Sequence, residues 1–282
     1  MERNNAESKN GPTWKSALPW VLAVFLMLAV AVYQRVTGPT HPMMAEAQIG
    51  PLKASGKLIR SHSTSGGAVV SIQADPGLNA TLVWRRYPTD EPFQTVPMRR
   101  NGKDLQGQIP AFPAAAKVEY RVMLSDSSAS KPLNDKPAIL RYKDDVPAWS
   151  LVLHLICIFG GLLTGSRAFI GAAVGEAFPW RIVRWTLLFM ALGGLVFGPI
   201  MQKYAFGAYW TGWPLGDDLT DTKTLLGIVA WAAALMVGLR WPRAQRVAVV
   251  AAFVAMLAVY LIPHSVRGSQ YDWSKQEVTT GR

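Results

Sequence analysis

The sequence predicts an α-helical membrane protein, an N-terminal anchor plus a four-helix transmembrane bundle, with an all-β sandwich of immunoglobulin or fibronectin type inserted between the two. Three observations predict it. The chain is 50% apolar and 17% charged, against about 25% charged residues in soluble domains. Apolar runs of helix length recur along it. Residues 38–147, after the first run, instead carry short β-prone stretches separated by Pro and Gly turn signals.

Residues 1–16 are polar, include Arg3, Lys9 and Lys15, and are expected in the cytoplasm. The run Ala17–Tyr33 then lies near the short end of the roughly 17–25 residues that cross a bilayer, and residues 17–36 are expected to form an anchor. Ala29-Val30-Ala31 has the small-residue pattern of a cleavage site, so removal as a signal peptide is the competing outcome. The length of the run favours retention. In either case the chain beyond this run is exported.

Within 38–147 the expected strands are Lys57–Ser61, Ala68–Ala74, Ala80–Tyr87, Gln94–Arg99, Leu105–Ile109, Lys117–Leu124 and Ala138–Lys143. The clearest alternates Val118, Tyr120, Val122 and Leu124 with Glu119, Arg121 and Met123, one face buried and one mostly wet. Short strands at this spacing predict the sandwich. Tyr120 is a candidate corner tyrosine, with a plain core aromatic as the alternative. Such sandwiches bind or space partners more than they catalyse.

Four further spans are expected: Ala148–Ser166 closed by Arg167, Trp185–Met201, Thr224–Leu239, and Val247–Ile262. Arg167, Arg181, Arg184, Arg240, Arg243 and Arg246 fall in the two short connections between them. Placing those arginines in the cytoplasm orients the chain by the positive-inside rule. The N-terminus is then inside, while the β domain, the 202–223 loop and the tail 265–282 are outside, in a bacterial cytoplasmic (inner) membrane. Gly161 with Gly165 and Gly194 with Gly198 have the spacing that lets helix backbones approach within the bundle 148–264.

The net charge of +11 does not require nucleic acid, because orientation accounts for the clustered arginines. The lone Cys157 excludes an internal disulfide, and no Cys-x-x-Cys-His attaches haem covalently. Nucleophile elbows, phosphate loops, dinucleotide fingerprints and metalloprotease helices are all absent. No catalytic residue is assigned. Five spans without an internal repeat or an embedded carboxylate make a poor transporter.

The predicted topology brings His154, His264 and an aromatic, Gly-rich loop to the outer side. His154 lies six residues into its span, about 9 Å along a helix rising 1.5 Å per residue. Three uses of these residues compete. His154 and His264 are candidate axial ligands for a b-type haem, on the first and last helices of a four-helix bundle. A His with Asp217, Asp218 or Asp221 is a candidate metal site. In the structural alternative Thr220 or Asp221 caps a helix, Trp210 and Trp213 rest at the interface, and the histidines only hydrogen-bond. The cofactor is left open, with none as well as haem b among the outcomes. Tyr209, Trp210, Trp213 and Lys223 are candidate interaction residues.

The outer loop 198–224, GPIMQKYAFGAYWTGWPLGDDLTDTKT, and the segment LIPHSVRGS at 261–269 resemble a family of uncharacterised bacterial five-span inner-membrane proteins with an extracytoplasmic β domain. So do YQRVTGPT at 33–40 and RYKDDVPAW at 141–149. The resemblance covers most of the chain. It implies this architecture and a retained first span, and it carries no catalytic role. The resemblance leaves the function open. An outer face rich in unusual residues with no recognisable catalytic set leads to the expectation of an accessory protein in contact with the lipid bilayer and a membrane-protein partner, a respiratory or other redox complex being one class. A haem b electron carrier is the rival, and a metal-binding membrane protein the third reading.

Overall fold

A computed structural model describes residues 13–177, 180–263 and 268–280. The chain forms two compact units, each assembled from separated stretches of sequence.

The helical unit comprises the chain up to Gln34 together with Leu153–Val196 and Lys223–Ile262. Its helices are α1 (Thr13–Thr37), α2 (Ala148–Ala173), α3 (Trp180–Phe206), α4 (Leu219–Arg240) and α5 (Gln245–Leu261). Among the described residues the first four are long and apolar enough to cross a membrane, whereas α5 is apolar but shorter. All five contribute to one core, through Val30, Leu162, Met190, Trp231 and Met256 among others. Large apolar side chains such as Phe25, Ile156, Leu226, Met236 and Val254 stay exposed on the outer surfaces. An aqueous protein would bury such residues, and lipid need not.

The helices run beyond the expected spans. α2 continues past Arg167 through Ala168-Phe-Ile-Gly-Ala-Ala to Ala173, so Arg167 is buried inside a helix and not in a connection. The helix stops where Gly175 adopts φ +81°. Gly175 N then donates to Ala172 O and Glu176 N to Gly171 O, the paired bonds of a left-handed helix stop. Arg181 and Arg184 likewise lie in the first turns of α3. α3 carries a π-helical segment, Leu192–Phe197. A side chain on Gly194 would fall 2.4 Å from Thr224 Cγ2, so glycine is required there for α4 to approach. Pro199 lacks the N–H that a regular helix would use at that turn.

The β unit comprises Arg35–Val152, Phe197–Thr222 and the chain from Pro263. Residues 202–222 of the expected loop and the described part of the tail are thus parts of the β unit, while Lys223 falls in the helical one. One sheet has five strands: β1 (Met43–Ile49), β2 (Leu52–Leu58), β4 (Ala68–Ala74), β8 (Asp104–Ile109) and β7 (Arg99–Asn101), in the order β1-β2-β4-β8-β7. The other runs β3-β11-β9-β5-β6, with β10 beside β9. Those strands are β3 (Ser61–Ser63), β5 (Asn79–Tyr87), β6 (Gln94–Pro97), β9 (Lys117–Ser125), β10 (Ser130–Pro132) and β11 (Ala138–Lys143). Both sheets fill one core that includes Leu58, Ile72, Leu82, Leu105, Tyr120 and Leu140. Each such fully buried side chain contributes about 1.5–3 kcal/mol.

The alternation expected in β9 is present: Val118, Tyr120, Val122 and Leu124 are all fully buried. Glu119 departs from it, being buried as the ion-pair partner of Arg85 across to β5. The Tyr120 hydroxyl donates to Ile59 O at 2.8 Å, far upstream and not within its own corner. Of the hairpin β1–β2 only Lys57 and Leu58 fall in an expected strand, and that strand, Lys57–Ser61, is broken at Ile59-Arg60 between β2 and β3. The rest escapes the sequence reading, because its Ala, Glu and Lys residues do not favour strands. β12 (Ser269–Asp272) and β13 (Glu277–Thr280) form a hairpin in the segment expected only as a tail.

Candidate functional site

The loop between α3 and α4 is shorter than expected. α3 ends only at Phe206, where Gly207 takes φ +86° and its N–H bonds Lys203 O. α4 starts at Leu219, leaving residues 207–218. Two carboxylates organise this loop. Asp221 Oδ2 accepts the amides of Thr211 at 2.8 Å and Gly212 at 3.1 Å. Asp218 Oδ1 accepts the Thr220 amide at 2.7 Å and so caps α4, a role expected of Thr220 or Asp221. Asp218 N also donates to Thr211 O at 2.9 Å, closing the loop on itself.

The Thr211 hydroxyl sits at the centre. It accepts from Gln202 Nε2 and lies 3.2 Å from Asp218 Oδ2 and 3.3 Å from Asp221 Oδ2. The Thr222 hydroxyl donates to Asp218 O and accepts the Trp213 amide at 3.0 Å. A side chain on Gly212 would meet Asp221 Cβ at 2.4 Å and Thr222 N at 2.7 Å, so only glycine lets the loop fold back so closely. With Thr211, Asp218 and Asp221 turned inward, the loop displays large apolar groups beside the exposed Asp217: Tyr209 is 60%, Trp213 64% and Leu215 77% exposed. Lys203 Nζ lies 5.5 Å from the Tyr209 ring.

The tail closes the other side of this cluster. Asp218 Oδ2 accepts the buried Ser269 amide at 3.2 Å, and Arg141 Nη2 donates to Ser269 O at 2.6 Å. Arg141 Cζ stands 4.3 Å from the centre of the Phe206 ring. Burial lowers the Arg141 pKa to about 10, and the neighbouring Asp218 charge opposes that fall. Lys117 donates to Gln270 Oε1 at 3.1 Å, and burial, with Arg141 adding repulsion, pulls its pKa down. Tyr271 N bonds Ala115 O, and Trp273 packs on Phe112 with Arg86 over its ring.

Among the residues singled out from sequence, Asp218 and Asp221 meet around Thr211, whereas Asp217 is exposed beside them. Trp210 donates its indole N–H to Trp213 O. Lys223 is not displayed with the loop: it is buried in the helical unit and donates to Ile262 O at 2.5 Å. His154 Nδ1 donates to Gly193 O at 3.0 Å, within the π-helical segment. His264 lies outside the described residues. Arg141 and Ser269 escape the sequence reading because each is met by a segment remote in sequence, and Thr211 because its partners Gln202, Asp218 and Asp221 converge only when the loop folds back.

The two loop carboxylates spend their oxygens on amides and hydroxyls. Among the described residues no group of three or more His, Cys, Asp or Glu is placed to hold a metal ion. A separate open groove on the five-stranded sheet is lined by polar groups, including Glu46, Lys53, Gln73 and Lys103. The arrangement at the loop suits the presentation of a rigid apolar surface.

No family model matches the chain, and no curated protein matches it. Among solved structures, one titled "Crystal structure of Br derivative BhCBM56" aligns over 34% of this chain and 98% of its own at 5% identity, with a TM-score of 0.26. A likeness that slight carries no weight here.

Proposed function

We propose that the chain is an accessory protein of the bacterial inner membrane, docking a membrane-protein partner through the outer loop of its β unit. In this reading all five helices span, the N-terminus is cytoplasmic, and the β unit is extracytoplasmic. The observation that carries it is the loop itself. Asp218, Asp221 and Gly212 hold residues 207–218 in one conformation whose large outward apolar groups are Tyr209, Trp213 and Leu215. A preorganised patch with aromatic anchors loses little entropy on binding, which is what protein interfaces favour.

The β unit is read as an immunoglobulin- or fibronectin-like sandwich. What supports this is strand order: β2-β4-β8 opposes β11-β9-β5-β6, as strands A-B-E oppose G-F-C-C′ in that fold. The short β3 pairs in parallel with β11, and β1 extends the first sheet.

The test is photo-cross-linking in intact membranes from positions 209, 213 and 215, with an exposed position on the five-stranded sheet as control. One dominant adduct from the loop positions is expected. Adducts no different from the control, together with purification from mild detergent without a stoichiometric partner, would sink the reading.

A b-type haem on His154 and His264 is the second reading. It draws on one observation, that the bond from His154 Nδ1 to Gly193 O leaves Nε2 as the ligating nitrogen. A reduced-minus-oxidised spectrum of protein made with ample haem decides it. No Soret or α band ends this reading.

A further inference from the structure

One end of the helical unit carries unbalanced charge. Arg167 near the end of α2, Arg181 and Arg184 at the start of α3, Arg240 at the end of α4, and Arg243 and Arg246 beyond it all lie at helix termini or connections. Arg246 Nη2 donates to Gly175 O at 2.8 Å, which ties the α4–α5 connection to the α2–α3 connection. Among the described residues of this unit the only carboxylate is Glu176.

Arg167 is the buried member, at 9% exposure. Its Nη2 bonds Glu176 Oε2 at 2.8 Å, and its Cζ lies 5.7 Å from the Trp20 ring. Nε and Nη1 are buried with no hydrogen-bond partner. Gly171 makes the room: a side chain there would fall 2.8 Å from both Nη1 and Glu176 Oε2. Nε shares one edge of the guanidinium fork with Nη2, so Glu176 satisfies half of an edge built for two acceptors. Glu176 itself is about one-third exposed, on the turn after the helix.

We propose that this end of the bundle holds the phosphodiester of an anionic phospholipid, with Arg167 as its anchor and Glu176 as an internal carboxylate that occupies the site until lipid displaces it. A phosphate places two oxygens along the Nε–Nη2 edge, which the single Glu176 contact does not. The surrounding arginines supply the attraction, and headgroups supply the missing negative charge. The inference rests on the membrane reading above, with this end at the cytoplasmic leaflet.

The experiment uses the full chain in lipid nanodiscs. It compares neutral phosphatidylcholine discs with discs containing phosphatidylglycerol, and assays lipids retained after exchange into detergent. Arg167→Gln is expected to lower phosphatidylglycerol retention about fivefold, the loss of one well-placed basic contact. Glu176→Gln, which removes the competitor and keeps the shape, is expected to raise it. Arg184→Gln, an exposed arginine, serves as the comparison. Equal losses from Arg167→Gln and Arg184→Gln, or no gain from Glu176→Gln, would overturn the site and leave only diffuse attraction. Stabilisation by inorganic phosphate equal to that by the lipid would assign the site to a free anion. Release of the wild-type chain from membranes by alkaline carbonate would instead overturn the membrane reading. Arg167→Lys guards against a folding defect: it keeps the charge but not the fork, and should bind between wild type and Arg167→Gln.

Discussion

Asp218 and Arg141 hold the same residue from opposite ends. The carboxylate accepts the Ser269 amide, and the guanidinium donates to the Ser269 carbonyl. One charge comes from the loop before α4 and the other from β11, and the residue between them belongs to the tail. Both charged groups are buried, so each depends on this bridge to offset the cost of leaving water.

Asp218→Asn keeps the shape and removes the charge that faces Arg141. We expect a loss of about 1–3 kcal/mol in the β unit, typical of a broken buried charged hydrogen bond. The tail should loosen first, so trypsin should cut after Lys275 faster than in wild type. An unchanged cleavage rate would show that the tail is held by Trp273 and Tyr271 instead.

Gly212→Ala forces a methyl group against Asp221 and the Thr222 amide. The expected cost is about 1–3 kcal/mol, as for other overpacked sites. The indole of Trp213 should report it as a shifted emission. A variant as stable as wild type, with unchanged emission, would mean that the loop is less tightly closed than the distances imply.

Trp213→Ala and Trp231→Ala should separate binding from folding. Trp213 is mostly exposed, so its loss should leave stability within about 0.5 kcal/mol. The same change should abolish the partner adduct. Trp231 is fully buried and its truncation should cost about 3–5 kcal/mol. Normal partner recovery with Trp213→Ala would remove the loop from the docking surface.

Asp272 predicts an acid response. Its carboxylate accepts from the Ser274 hydroxyl and from the amides of Lys275 and Ser274, which hold its pKa below the ordinary 3.8. A depressed folded value means the charged form stabilises the β12–β13 turn. That stabilisation is in full force above the ordinary carboxylate value and is lost as pH falls through the lower folded one. Trp273 fluorescence should therefore change in acid, and Asp272→Asn should flatten that limb. An identical acid limb in the variant would assign the change to another carboxylate.

Helix existence was legible in the sequence because a long apolar run has few other fates, and the strands with strict alternation, Ala68–Ala74 and Lys117–Ser125, were legible for a similar reason. Helix ends were not. Arg167 reads as a loop residue, and only the Gly175–Glu176 stop, with its ion pair, shows why the helix passes it. The aromatic loop stands out as unusual, yet its organisation is hidden. The spacing of Asp218 and Asp221 does not reveal that Thr211, Gly212 and Ser269 hydrogen-bond to their oxygens. Arg141 lies on a strand whose neighbours Leu140 and Tyr142 mark the core, so periodicity places it in water. It is the distant Ser269 and Phe206 that cover it.

The β unit is drawn from three stretches of chain, and the last of them follows the fifth helix. Its assembly is therefore tied to the order of synthesis. While the ribosome is still making α3 to α5, the sandwich can collapse around Tyr120 and Leu140, but Arg141 has no Ser269 carbonyl to accept its hydrogen bond and Phe112 has no Trp273 to cover it. The nascent protein must pass through a half-closed stage in which a charged edge and an aromatic one lie open together. Only when residues 269–273 emerge can the first-made domain finish folding, so a ribosome stalled within α5 should hold a β unit that proteases still cut.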